Sequence, residues 1–252
     1  MQIGPSLSLS WTRRVAAAFS PAPGLQLWLD AASSPLWQDA AGTVPAVADG
    51  DPVRRWDDLS GNGRHFVAPS DAARPTLKLA VQNGRPVLRG DGVDDQLACG
   101  STAWADMPAQ TVFAVLKPSN GGIAEAYSAR HGSGDNNLSL PVYSGGGNGW
   151  FVAARQLAGG LYHWRYDCPP KTAGWVLLSA SVAGTTAPTV RTQGVERAGS
   201  YPGAINVAAS AATLFRGANG AMAGDLAAVL VYDSVLSPAD NEVYLNARWG
   251  IY

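Results

Sequence analysis

The run WQDAAGTVPAVADGDPVRRWDDLSGNGRHF, from Trp37 to Phe66, is broken every few residues by Gly, Pro, Asn or Asp. Its sharpest part is WDDLSGNGRHF, Trp56 to Phe66. Gly61 and Gly63 permit positive φ and Asn62 tolerates left-handed geometry, so SGNG reads as a tight turn, with Asp57 and Asp58 beside it to accept backbone amides. Turn chemistry at such short intervals belongs to a chain of short strands rather than to βαβ units.

Outward from this run the same grammar repeats. Candidate strands are LQLWLDA (Leu25 to Ala31), VRRW (Val53 to Trp56), RPVLRG (Arg85 to Gly90), QTVFAVLKP (Gln110 to Pro118), IAEAYSAR (Ile123 to Arg130) and LSLPVYS (Leu138 to Ser144). They continue with WFVAAR (Trp150 to Arg155), LYHWRY (Leu161 to Tyr166), WVLLSASVAG (Trp175 to Gly184), TVRTQGVERAG (Thr189 to Gly199), ATLFRG (Ala212 to Gly217) and GDLAAVLVYD (Gly224 to Asp233). The apolar runs TVFAVL and LAAVLVY suit central strands covered on the inner face and partly on the outer. One helix is signalled near the C-terminus: Ser237 as cap, Pro238 at the first helical position and Asp240 in the first turn, with the end near Trp249 and Gly250. Val243, Ala247 and the Tyr244/Arg248 pair fall at helical spacing, which predicts that their side lies against the sheet.

Residues 1–22 differ from the rest. SLSLSW (Ser6 to Trp11) alternates with period two and is followed by Arg13, Arg14 and the Pro-bracketed SPAPG (Ser20 to Gly24), so the segment reads as an assembly arm or as an extra edge strand. Residues 23–252 then form one domain, a size that all-β folds reach without dividing. Only 15% of the 252 residues are charged, and the formal net charge is −1, which gives no electrostatic reason to expect a nucleic-acid or membrane partner. No apolar run reaches the length of a membrane span, and the VAAAF stretch after the basic pair is too short for a secretion signal, so production in the cytoplasm is expected. The two cysteines, Cys99 and Cys168, are too few for a disulfide framework and leave open whether they meet.

Three segments, Trp37 to Phe66, RPVLRGDGVDDQL (Arg85 to Leu97) and GDLAAVLVYDSVLSPADNEVYLNARWGIY (Gly224 to Tyr252), together resemble the laminin-G-like, concanavalin-A-type jelly roll. The pairing of DAAGTVPAVADGDPV with DLSGNGRHF is similar to versions carried by structural proteins of tailed bacteriophages. The resemblance implies an all-β antiparallel jelly-roll sandwich closed by one short C-terminal helix. It also implies a non-enzymatic virion protein that decorates a capsid or tail, made in the host cytoplasm and contacting other virion proteins and copies of itself.

Three constellations carry the chemistry. Asp57, Asp58 and Asn62, with Asp91, Asp94 and Asp95 of the DGVDD loop, read first as turn architecture and alternatively as a calcium site. Hard cations want several such oxygens, and laminin-G-like relatives sometimes bind calcium at a sandwich edge. The strand LYHWRYD gathers Tyr162, His163, Trp164, Arg165 and Tyr166 close to Trp150, either as core filling or as the aromatic face of a glycan site. The alternative function is therefore a lectin-like module of a tail fibre or surface protein that recognises a host-surface glycan. Catalysis has little support: Glu125, Glu196 and Glu242 lie far apart, and His65, His131 and His163 lack a partner motif for a serine, zinc or cysteine site.

Overall fold

The computed structural model describes residues 19–100, 107, 109–119, 124–130, 136–145, 148–151, 165–167, 174–183, 188–200, 211–217 and 220–252. Over these the chain is an antiparallel β-sandwich with one short C-terminal helix. One layer is an eight-stranded sheet ordered β15 (Val195–Glu196), β14 (Thr189–Thr192), β13 (Val176–Ala183), β8 (Ala109–Pro118), β20 (Ala223–Tyr232), β6 (Arg85–Asp91) and β5 (Thr76–Gln82). Strand β1 (Leu25–Asp30) pairs with the last residues of β20, on the same edge where β6 pairs with its first. The other layer is ten-stranded. Its order is β16 (Gly199–Ser200), β12 (Arg165–Asp167), β11 (Asn148–Phe151), β10 (Asn136–Gly145), β9 (Ala124–Arg130), β17 (Ala211–Leu214), β7 (Leu97–Cys99), β4 (Phe66–Val67), β3 (Arg55–Trp56) and β2 (Leu36–Trp37). A short ribbon, β18 (Arg216–Gly217) with β19 (Gly220–Ala221), completes the strands.

The side-chain period of two sorts each central strand between two apolar layers. From β8, Val112, Ala114 and Leu116 enter the core between the sheets, where they meet Trp56, Phe66, Tyr127 and Leu214. Phe113 and Val115 belong to a second cluster on the outer face. That outer cluster is roofed by α1 (Ala239–Trp249) through the fully buried Leu245 and Trp249. The continuous apolar runs of β8 and β20 are thus explained: both faces are covered, and each buried Leu, Val or Phe contributes about 1.5–3 kcal/mol.

Two features of the helix depart from expectation. Pro238, not Ser237, holds the cap position with φ −70° and ψ −17°, and no side-chain hydrogen bond closes that end. The inward stripe is Asn241, Leu245 and Trp249, whereas Val243 is 67% exposed. Polar tethers on the sheet decide which side docks. Tyr232 donates its hydroxyl to Asn241 (2.8 Å), Arg191 and Ser179 bind the buried Glu242, and Arg248 pairs with Asp30, which is fully buried. At the other end Gly250 adopts the left-handed conformation, and Gln82, Asn83 and Arg85 donate to the carbonyls of Arg248, Trp249 and Gly250 that a helix end leaves unpaired.

Those donors come from a hairpin that was only half anticipated. Asn83 (φ 49°) and Gly84 (φ 67°) form its two-residue turn, so the segment before Arg85 is also a strand. Thr189 to Gly199 likewise divides into a hairpin, β14 and β15, turning at Gln193 and Gly194. Residues 1–18 lie outside the described residues, and with them the choice between arm and edge strand. Phe19, the first described residue, stacks on Tyr244 at 3.7 Å and meets Trp28 edge-on at 5.3 Å. Among the described residues no helix is long and apolar enough to cross a membrane.

Candidate functional site

The WDDLSGNGRHF turn lies against β1, which has a strand partner on one side only. The turn supplies the partners for the other side. Trp28 N–H donates to Asp58 Oδ1 (3.0 Å), Leu59 N–H donates to the Trp28 carbonyl (2.8 Å), and Asn62 Nδ2 donates to the Leu25 and Gln26 carbonyls at 3.1 Å. Arg64 Nη1 reaches the same Gln26 carbonyl at 2.6 Å. Gly61 (φ 86°) and Gly63 (φ 68°) have the left-handed geometry that the turn requires. Asp58 also accepts the amides of Ser60 and Arg64 and the Ser60 hydroxyl, while Asp57 accepts Trp37 Nε1 (2.9 Å) and Arg55 Nε (2.5 Å). Protein donors therefore engage both carboxylates and fix the Asn62 amide, and the turn works as a side-chain cover for an open strand edge.

Of the six oxygen-bearing residues grouped from the sequence, the structure brings together Asp91, Asp94 and Asp95. One oxygen from each lies within 4.8 Å of the others. Asp91 Oδ1 caps its own loop by accepting Val93 N–H (2.7 Å), and Asp95 Oδ2 accepts Asp91 N–H (2.8 Å). Burial raises the Asp95 carboxyl to about 6, opposed by the Asp91 amide and reinforced by the Asp91 and Asp94 charges. Three carboxylates this close fit the oxygen chemistry of a hard cation, although each of those two hydrogen bonds also serves the loop.

Tyr162, His163 and Trp164 lie outside the described residues, as does Cys168, whereas Cys99 is buried. Arg165 and Tyr166 belong to β12, and Trp150 to the adjacent β11. Register sets Trp150 opposite Tyr143 on one side and Asp167 on the other, and Phe151 opposite Val142 and Tyr166. Two cross-strand rows result, holding Tyr143 with Trp150 and Phe151 with Tyr166. Tyr143 and Phe151 were not singled out from the sequence, because only strand pairing makes them neighbours of the chosen aromatics.

The sequence also gave no hint of a groove of about 360 Å³ between the Ser33–Trp37 corner, the loop of Pro45 and Val47, and Leu77, Leu79 and Pro86 of the β5–β6 hairpin. Its walls are mainly apolar, and Val47 (70%) and Leu79 (42%) are exposed. Trp37 lines it while its indole N–H is held by Asp57.

No protein-family model and no curated protein matches the chain. Its likeness is to solved structures. Trypanosoma rangeli sialidase in complex with sialic acid matches over 92% of this chain and 34% of that one, with TM-score 0.57 at 15% identity. The ligand-binding domain of botulinum neurotoxin serotype D, solved with N-acetylneuraminic acid, matches over 89% and 51%, with TM-score 0.58 at 10% identity. A GH54 α-L-arabinofuranosidase matches over 79% and 51%, with TM-score 0.58 at 16% identity. The chain spans a third to a half of each of these proteins. At such identity the likeness establishes the β-sandwich fold alone.

Proposed function

We propose that the protein is a non-catalytic carbohydrate-recognition module whose ligand surface lies on β10, β11 and β12. The observation that carries this reading is the register that sets Tyr143, Trp150 and Asp167 in one cross-strand row, on the face opposite to that of Phe151 and Tyr166, with Arg165 two residues from Asp167 and so on the same face as the row. Sugars present C–H faces to aromatic rings and hydroxyls to a few charged or amide groups, and this row together with Arg165 supplies both residue types. Structures solved with sialic acid among the fold's likenesses support the reading. A non-catalytic role fits the setting of Glu242, which Arg191 and Ser179 hold at 3% exposure, out of reach of a substrate. On a glycan array the full chain is expected to bind a restricted set of oligosaccharides. Trp150→Ala or Tyr143→Ala should weaken binding about tenfold or more at unchanged melting temperature, since tenfold corresponds to ~1.4 kcal/mol. Absence of binding to any glycan by the unmodified chain would dispose of this function.

A second reading, decoration of a phage capsid or tail, draws on the groove. Exposed Val47 and Leu79 on apolar walls suit contact with another protein. Under this reading a Val47→Asp/Leu79→Asp chain stays folded but no longer co-sediments with the particles that the unmodified chain decorates. Equal co-sedimentation of the two chains would remove it.

A further inference from the structure

We propose that the groove beside Trp37 seats Leu7 to Trp11 of the same chain, folded back over the sandwich by the segment that precedes Phe19. The described chain already travels that way. Followed backwards from β1, Ala22 and Ser20 share a cleft with Ser237, Asp240 and Asn241 at the start of α1, and Phe19 stacks on Tyr244 one turn further along the helix. The next turn holds Arg248, whose guanidinium binds Asp30 and Ser33, and Ser33 lines the groove. Residues before Phe19 that keep this course arrive at the groove.

Reach and chemistry both fit. By way of Tyr244 and Arg248 the path from Phe19 to Ser33 is on the order of 20 Å, a helical turn plus a ring stack and the length of an arginine side chain. Trp11 lies eight residues before Phe19, and eight extended residues span roughly 26 Å. In SLSLSW the period of two puts Leu7, Leu9 and Trp11 on one face and Ser6, Ser8 and Ser10 on the other. Such a ribbon lays its apolar face on Trp37, Val47 and Leu79 and leaves its hydroxyls to water. The backbone bordering the groove is already bonded, Gln38 N–H to the Val44 carbonyl, Ala46 N–H to the Leu36 carbonyl and Leu79 N–H to the Asp49 carboxylate, so side chains and not an added strand hold the occupant. The tether favours the chain's own segment over a second copy, because a short flexible link sets an effective concentration in the millimolar range. A protein that takes the groove then has first to displace Trp11. This inference goes beyond the glycan reading and needs no ligand on β10, β11 or β12.

The test is NOE spectroscopy of the full chain with isotope-labelled Val and Leu methyls. Cross-peaks are expected from the Trp11 indole to the methyls of Val47 and Leu79. In Trp11→Ala those methyl signals should shift as the ring current of the indole is lost, while the Val195 methyls, exposed on the β14–β15 hairpin at the other end of the eight-stranded sheet, stay in place. A mixture of labelled and unlabelled chains should give no such cross-peaks between chains. Absence of contact between Trp11 and the groove methyls overturns the proposal, and so does contact found only between chains, which would assign the groove to a second copy. Should the variant not fold, the spectra of the unmodified chain decide alone.

Discussion

Asp95 carries its charge in a setting made for a neutral group. It is 5% exposed beside two other carboxylates, and its carboxyl rises to about 6 from an ordinary carboxylic-acid value of about 3.9. The folded chain therefore binds this proton more tightly than the unfolded chain does. The stability gained is complete below about pH 4 and is lost as pH rises through about 6. Asp95→Asn is accordingly expected to be ~1–3 kcal/mol more stable than the unmodified chain at pH 8 and equal to it near pH 4, by denaturant unfolding at both values. If the three carboxylates hold calcium instead, the order at pH 8 reverses on adding millimolar calcium, and the cation stabilises only the unmodified chain. Two glycines give a cleaner steric contrast. Gly224 has φ 139°, and a Cβ there would lie 2.3 Å from the Lys117 carbonyl oxygen, where β20 pairs with β8. Gly61 has φ 86° with open space around it. Thermal unfolding should show Gly224→Ala losing more than ~3 kcal/mol and Gly61→Ala only ~1 kcal/mol, because the first must displace backbone and the second bears conformational strain alone.

At the scale of elements, α1 is fastened by ionic contacts as much as by apolar ones. Asp30 is fully buried and accepts from two guanidinium nitrogens of Arg248, Nε and Nη2, and Arg248 Nη2 also donates to Ser33 Oγ. Removing one partner leaves a buried charge unmatched, so Arg248→Ala should cost about 3–5 kcal/mol, whereas the paired change Asp30→Asn/Arg248→Met should cost much less. Denaturant unfolding of both single variants and the double closes the cycle, and additive effects would show that the pair is not coupled. These tethers also explain why the helix was legible in the sequence while its docking side was not. Pro238 and Gly250 mark its limits locally, but Asn241 faces inward only because Tyr232 waits on β20, and Glu242 only because Arg191 and Ser179 do. Apolar periodicity pointed to Val243, which solvent surrounds. The same limit governs the strands: β8 and β20 announce themselves by long apolar runs, whereas β2, β3 and β4 are two residues each and exist by virtue of their partners. In the candidate site Trp150 and Tyr166 were readable as aromatic, but their adjacency to Tyr143 and Phe151 follows from register, which no local pattern encodes.

Across the whole molecule, several strand edges of the sandwich are closed by loops or side chains. On β5, the Leu77 carbonyl accepts the Gly50 N–H, Leu77 N–H donates to the Asp51 carbonyl, and Leu79 N–H donates to the Asp49 carboxylate. On β2, Gln38 N–H bonds the Val44 carbonyl and Ala46 N–H the Leu36 carbonyl. On β1, the WDDLSGNGRHF turn does the work, with the Asp58 side chain at its centre. Open edges template pairing with other chains, so such covers keep a sandwich from polymerising. Asp58→Ala leaves the Trp28, Ser60 and Arg64 amides without their acceptor and loosens the turn over β1. A loss of ~2–4 kcal/mol is expected, at about 1 kcal/mol or more for each hydrogen bond removed. Stability loss alone would not distinguish an edge cover from any other buried contact. The distinguishing measurement is light scattering against protein concentration under conditions where the variant remains folded. There Asp58→Ala should associate while Gly224→Ala, destabilised elsewhere and with β1 still covered, should not. Equal association by the two variants would trace aggregation to partial unfolding and remove the turn's role as guardian of that edge.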